Sequence, residues 1–462
     1  MKKITVSEIL KATEGKLIFG DESLVVSGVE MDSRIIKDGD LFIALPGERV
    51  DGNDFAEISF EAGAVCAIMT DKEKALVLAE KYDGSKAVIL VDNSEKALHR
   101  LAKWYIEGFD IKKIAVTGSN GKTTTKDMIH AVCSVKYKTH RTPVNRNNLI
   151  GLPLTVLSME EDTEVAVFEM GMDTFNEIHT MVDIVKPDIA IITNVGTAHV
   201  ERLGSREGIL KAKLEITDYF TPENVLIIPD GGDLLTKKSA SGEYKLVMTG
   251  KNGESNYIIS DVTNHGEHGM EFMIEYQSKI HKIKLTVPGE YNVTNASLAI
   301  AAAGEIGISI EEAARGLLDM KMAEKRMNIR GKEGIKVIDD TYNASPPAMK
   351  AAIDVLISTK GVRKVAILGD MFELGEESEK YHREVGEYAA NAGVELLVGV
   401  GENSKYTCEG AAEKLGSENV LYFASKEEFV ENMRNVIRIG DVILVKGSRG
   451  MAMEKIVKKI LE

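Results

Sequence analysis

The stretch Val116-Thr-Gly-Ser-Asn-Gly-Lys-Thr-Thr-Thr125 limits what this chain can fold into more than any other. The apolar run Ile114–Val116 leads into glycines at 118 and 121 and then Lys122. After it, Met128, Ile129, Val132, Cys133 and Val135 recur at helical spacing. A strand, a tight turn and a helix in that order open a parallel α/β sheet. Glycine lets backbone amides approach an anion, and the helix N-terminus adds positive potential. Lys122 can neutralise terminal phosphate oxygens, and the Thr123 hydroxyl can reach a Mg²⁺ ion. The usual phosphate loop, G-x-x-x-x-G-K-[ST], has a glycine where this chain has Val116. Gly118 opens a shorter G-x-x-G-K-T, so the motif reads as a phosphate loop without its first glycine. The plainer alternative is a βα turn that happens to carry a lysine.

Three blocks surround this loop. From Met1 to Asp92 short strands and turns alternate, as in "DLFIALPGERVDG" and "EAGAVCAIMTD". From Asn93, "EKALHRLAKWYIEG" predicts a helix with Ala97, Leu98, Leu101, Trp104 and Tyr105 on one face. The apolar runs "KKIAVTG", "EVAVFEMG" and "PDIAIITNVG" fit strands buried on both faces. Residues 244–287 alternate with period two around glycines and predict a small antiparallel meander. Ser309 and Glu312 form a capping box on a later helix. From Asn328 a second series of strands and helices predicts another doubly wound unit. A net charge of -15 argues against a nucleic-acid backbone as partner. The three cysteines, Cys66, Cys133 and Cys408, show no disulfide or zinc spacing, and no run reaches membrane-span length. We expect a cytoplasmic protein without membrane insertion.

Polar residues stand where buried strands end, which is where open α/β sheets place ligands. Glu169 ends "VAVFEM" and could hold a nucleotide's Mg²⁺ or be a solvated strand-end charge. Asn194 and His199 follow the next strand. In "SREGILKAKLEITDYF", Ile209, Ala212, Ile216 and Phe220 form an apolar stripe, and Lys213 falls inside it. A buried lysine needs a partner, a route to solvent or a chemical change. In the third block, "IDDTYNASPP", "ILGDMFELG" and "LVKGSRG" carry Asp340, Tyr342, Asn343, Asp370, Lys446, Ser448 and Arg449 into loops at one sheet edge.

Taken together these motifs resemble the Mur ligases, ATP-dependent amide-forming enzymes of peptidoglycan precursor synthesis. The resemblance also takes in "MDSR", "NRNNLIGLPLT", "NVGTAHVERLGS", "KAKLEI" and "YNVTNASLA", and covers nearly the whole chain. It implies an α/β protein of three domains: a small mixed α/β domain (1–92), a central P-loop parallel-sheet domain with the meander (93–327), and a C-terminal Rossmann-like doubly wound domain (328–462). It implies that D-alanyl-D-alanine is joined to UDP-N-acetylmuramoyl-tripeptide through an acyl phosphate, the third residue being diaminopimelate or lysine. A monomer using ATP and two Mg²⁺ ions is expected. Thr117, Gly118, Ser119, Asn120, Gly121, Lys122, Thr123 and Thr124 would hold the ATP phosphates, with Asn295, Arg326, Asp340 and Asn343 on the adenine, ribose and phosphate sides. Thr123 and Glu169 would bind one Mg²⁺, and His199 with a carbamylated Lys213 the other. Lys122, Glu169, His199 and Lys213 would carry the catalysis. Ser33, Arg34 and Gly47, in the "LPGERVDG" loop, would hold the UDP end, with Asn147 and Asn148 along the sugar-peptide path. The chain departs from the family pattern at Asn53, Leu149 and Lys325. A closing swing is expected about residues 325–330. Rival readings are another Mur-type amino-acid ligase, a folylpolyglutamate synthase, a non-catalytic nucleotide switch and, more remotely, a dehydrogenase.

Overall fold

The computed structural model describes residues 1–47, 50–82, 84–143, 146–197, 199–320 and 325–462. The phosphate-loop strand Lys112–Thr117 lies inside a nine-stranded sheet. Its parallel neighbours are Val165–Glu169 and Ile189–Ile192. Parallel pairing continues through Val225–Pro229 and Lys245–Gly250 to Tyr257–Asn264. The strands Met270–Tyr276 and Lys279–Leu285 then add antiparallel. The predicted meander therefore prolongs the edge of the central sheet. The reason is packing: Phe272, Ile274, Ile283 and Leu285 share one buried cluster with Ile114 and Val116 of the loop strand. The almost wholly buried helix Tyr291–Glu305 contributes Ala296 and Ala299 to Ala303 to that cluster.

The first block forms a five-stranded sheet in the order Lys16–Phe19, Ala87–Leu90, Cys66–Met69, Asp40–Ile43, Gly28–Glu30. It shares a core with the central block. One cluster runs from Ile4 and Ile9 through Leu98, Leu101 and Tyr105 to Phe168 and Ile228. The helix Ser94–Glu107, capped by Asn93, carries the joining residues. Its Tyr105 hydroxyl accepts from the Lys2 N–H at 2.7 Å and donates to the Met159 carbonyl at 2.9 Å.

The last block is a six-stranded sheet, parallel except for Asn328–Lys332 at one edge. Helices cover both faces, giving two core clusters. The strands Ile335–Asp340, Asp441–Lys446 and Arg363–Gly369 are adjacent and parallel, so the loops that leave them gather on one edge, as their sequences predict. Among the described residues no helix is long and apolar enough to cross a membrane.

Candidate active site

The phosphate loop depends on its two glycines. Gly118 has φ +151°, and a Cβ there would overlap Thr193 Oγ1. Gly121, at φ +80°, starts the helix Lys122–Cys133, and a Cβ there would lie 2.8 Å from Asn295 Oδ1. The loop is laced to the strand end beside it. Asn194 Oδ1 accepts from the Asn120 N–H at 3.0 Å, Asn194 Nδ2 donates to the Asn120 carbonyl at 3.0 Å, and Ser119 Oγ accepts from the Gly196 N–H at 2.8 Å. Asn194 is thus a scaffold of the loop. Thr117 and Thr124 are buried beside it, and the Thr117 hydroxyl has no partner among the described residues. Lys122 curls back to donate to the Gly118 carbonyl at 2.7 Å. Burial lowers its pKa, opposed by the negative charge of Glu169 and reinforced by Arg326.

Glu169 is the hub. Its Oε1 accepts from Thr123 Oγ1 at 3.0 Å and from Asn147 Nδ2 at 2.8 Å. Octahedral Mg²⁺ holds oxygens at about 2.0–2.1 Å, so neighbouring ligands lie about 3 Å apart. The Thr123–Glu169 oxygen pair has that spacing. Among the described residues no three His, Cys, Asp or Glu side chains converge as a metal cage. That suits an ion held by one carboxylate, one hydroxyl, water and phosphate. The sequence reading passed over Lys126, which is 1% exposed behind Glu169. Its Nζ donates to the Thr142 carbonyl at 2.8 Å and lies 3.1 Å from Asp127 and 3.9 Å from Glu169 Oε2. It stands three residues before Ile129, on the buried side of the helix, so the stripe test that singled out Lys213 would have found it.

A second cluster lies around His199, held in left-handed backbone at φ 64°. Its Nδ1 is 3.4 Å from Asp173 and 3.3 Å from Glu373. Burial lowers its pKa, while those two carboxylates pull it up. Lys213 is 2% exposed and has no hydrogen-bond or ion-pair partner among the described residues. Burial, with the charge of Lys122, drives its pKa well below the ordinary lysine value. A neutral amine is what burial of an unpaired lysine produces, and it is the form that reacts with CO₂.

The C-terminal sheet docks directly on these groups. Arg326 Nη2 donates to Thr123 Oγ1 at 3.0 Å, its guanidinium stacks 3.9 Å over Tyr342, and its buried Nε has no partner among the described residues. Ser345 Oγ donates to Asn120 Oδ1 at 3.0 Å. Asn343 is exposed in the same loop. Asp340 is taken by Lys446, which ion-pairs its carboxylate and donates to the Asn343 carbonyl at 2.8 Å. Asn295 donates to Asn292 at 3.0 Å beneath the loop.

The remaining expected residues lie apart from the loop contacts. Arg34 folds onto Asp32 at 2.6 Å, its side chain 84% exposed, with Ser33 half-buried beside it. The Gly47 N–H donates to the Val50 carbonyl at 3.0 Å, and Glu48 and Arg49 of that loop lie outside the described residues. Asn148 uses its side-chain oxygen on the Gly151 N–H at 2.8 Å, starting a helix. Asn53 is buried, donating to Thr70 Oγ1 at 3.0 Å. The Leu149 carbonyl meets His99 Nε2 at 2.7 Å, and Lys325 pairs with Glu454 at 2.8 Å.

Comparison with known proteins agrees with this arrangement. The sequence model described as "Mur ligase family, catalytic domain" matches residues 25–105. The "Mur ligase middle domain" matches 116–303, and the "Mur ligase, glutamate ligase domain" matches 325–449. A UDP-N-acetylmuramoyl-tripeptide–D-alanyl-D-alanine ligase of Bacillus subtilis is 41% identical, covering 100% of this chain and 99% of its own. A crystal structure of MurF from Acinetobacter baumannii superposes with TM-score 0.90 at 30% identity, covering 100% of this chain and 99% of that one. MurF of Thermotoga maritima in complex with ADP gives TM-score 0.81 at 27% identity over 94% of this chain and 97% of that one. Phosphate loop, Glu169 hub, unpaired Lys213 and full-length similarity converge: the chain belongs to the Mur ligase family.

Proposed function

We propose that this chain is the ATP-dependent ligase that adds D-alanyl-D-alanine to UDP-N-acetylmuramoyl-tripeptide in peptidoglycan precursor synthesis. The observation that carries the reading is the end-to-end 41% identity to a ligase of that name. The site's chemistry supports it. A carboxylate is a poor electrophile, and phosphorylation by ATP makes an acyl phosphate that an amine can attack. Lys122 and the amides of residues 118–124 suit the phosphates, with Arg326, at the junction to the C-terminal sheet, adding charge. Thr123 and Glu169 would hold one Mg²⁺, and His199 with a carbamate on Lys213 a second. Bound there, the ions would offset charge on the transferring group and the carboxylate. Closure of the C-terminal sheet over the bound substrates would keep out water that would hydrolyse the acyl phosphate. Asn295, Asp340 and Asn343 are assigned to the nucleoside side, and Ser33, Arg34, Gly47, Asn147 and Asn148 to the UDP-sugar-peptide. The units are 1–92, 93–327 and 328–462, in a cytoplasmic monomer.

The test is phosphate release from ATP and Mg²⁺ with each tripeptide nucleotide, lysine or diaminopimelate, with and without D-alanyl-D-alanine. Release that requires the dipeptide, with a product heavier by one dipeptide, is the expected result. ATP binding without such release would sink the reading and move single amino acids and folates to the front.

A further inference from the structure

The basic groups beside the phosphate loop, Lys122 and Arg326, suit phosphates and carboxylates. The other reactant is an amine. An α-amino group of pKa about 7.7–8.0 arrives mostly as ammonium near neutral pH, and it needs a negative neighbour. Around His199 there are two carboxylates. Asp173 is already bound by Arg202 at 2.7 Å. Glu373, whose Oε2 is 3.3 Å from His199 Nδ1, has no lysine or arginine partner among the described residues. Its side chain is 61% exposed, so a ligand can reach it.

The loop that carries it is rigidly built. The buried Asp370 carboxylate accepts from the N–H groups of Asn403 and Ser404 at 3.0 and 2.8 Å. The Phe372 N–H donates to Ser448 Oγ at 2.8 Å, and the Met371 N–H to His382 Nε2 at 3.0 Å. Glu373 itself is held in left-handed backbone at φ 63°. Such a conformation disfavours a long side chain and persists only where its surroundings impose it. An anchored, strained loop thus holds an exposed carboxylate from one sheet against a candidate metal ligand on another.

We propose that Glu373 receives the ammonium of the incoming amine substrate, accepting a charge-assisted hydrogen bond that holds the substrate's amino end beside His199. This rests on the ligase reading above. Glu373→Gln keeps the shape and removes the charge. The KM for D-alanyl-D-alanine is expected to rise about 10- to 100-fold, the range for losing a hydrogen bond to a charged group. The KM for ATP and the Mg²⁺ concentration for half-maximal rate should stay within twofold. N-acetyl-D-alanyl-D-alanine, which has no ammonium, should compete equally well against wild type and variant. An unchanged dipeptide KM overturns the proposal. So does a raised Mg²⁺ requirement, which would make Glu373 part of the metal site. If the wild type consumes a different amine, the ligase assignment above has failed, and the same pair of proteins assayed with that amine decides the role of Glu373. A wild type inactive with every amine overturns both.

Discussion

Lys213 and Lys126 are both buried lysines on amphipathic helices, and their surroundings separate their roles. Lys126 has a carbonyl and two carboxylates around its ammonium, whereas Lys213 has none of these. Lys213→Arg should therefore lower turnover about a hundredfold or more, the scale for losing one group that stabilises a charged transition state. ATP affinity, measured by calorimetry, should change less than threefold, because the phosphate loop is untouched. A nucleotide switch would barely register the substitution. His130, at the far end of the same helix as Lys126, is a stability reporter. Burial, with Arg141 and Lys126 adding to it, lowers its pKa to about 4. A histidine depressed in the fold is neutral there while the unfolded chain takes up a proton. Its contribution is complete above the unfolded value of about 6.5 and is lost as pH falls towards 4. The loss amounts to at most about 3 kcal/mol. Denaturant melts at pH 7.5 and 5 should show it, and His130→Gln should remove its share of a difference to which the half-buried His140 and the buried His382, lowered in the same way, also contribute. Lys213 was legible in the sequence because it interrupts an apolar stripe. Lys126 was equally legible by that test, since it lies one residue past the phosphate-loop motif on the buried side of the helix, beside Ile129 and Cys133.

The strand–loop–helix unit at 112–133 was readable from its residues, since apolar run, glycines and helical period agree, except that Val135, read as part of the helix face, lies past the helix end and is exposed. Gly118→Ala tests the geometry of the loop. With φ +151° and Thr193 against the new methyl group, the strained backbone should destabilise the fold by about 1–3 kcal/mol. Displaced amides should also weaken ATP binding at least about tenfold. Calorimetry and a thermal melt measure the two separately. Of residues 244–287, read as an antiparallel meander, the strands from Tyr257 to Leu285 are antiparallel, but Lys245–Gly250 is a parallel strand of the central sheet, and the attachment of the meander to that sheet was not readable. Alternation fixes which face is buried and leaves open which edge a strand joins. The Asn147 contact to Glu169 is equally invisible in sequence, because it is made between a loop and a strand that only the fold brings together.

Over the whole molecule, two contacts bind the C-terminal unit to the rest at the site, Ser345–Asn120 and Glu373–His199, and Arg326, at the junction just before its first strand, adds a bond to Thr123. The described arrangement is therefore a docked one. At the junction Lys325 and Met327 both have left-handed backbone, φ 62° and 50°, where two non-glycine residues absorb the turn of the chain. Small-angle scattering should show a larger radius of gyration without ligands than with an ATP analogue and the nucleotide-peptide. Identical profiles would argue against a closing swing. The sequence placed most of the chemistry on sheet edges, and the resemblance implied that the third unit closes on the second, but the particular contacts were not legible, because they join residues some 200 positions apart, as for Arg326 and Thr123. The shared core of the first two units has a consequence for synthesis on the ribosome. The cluster that buries Ile4 and Ile9 is completed by residues as late as Ala240. At about 5–20 residues per second, the N-terminal helix waits roughly 10–50 s for the rest of its core to emerge. The C-terminal sheet, whose cluster runs from Met327 to Leu444, waits about half as long, roughly 5–25 s, so a nascent chain stalled before Ala240 is the longest-lived unfinished species for a chaperone to hold.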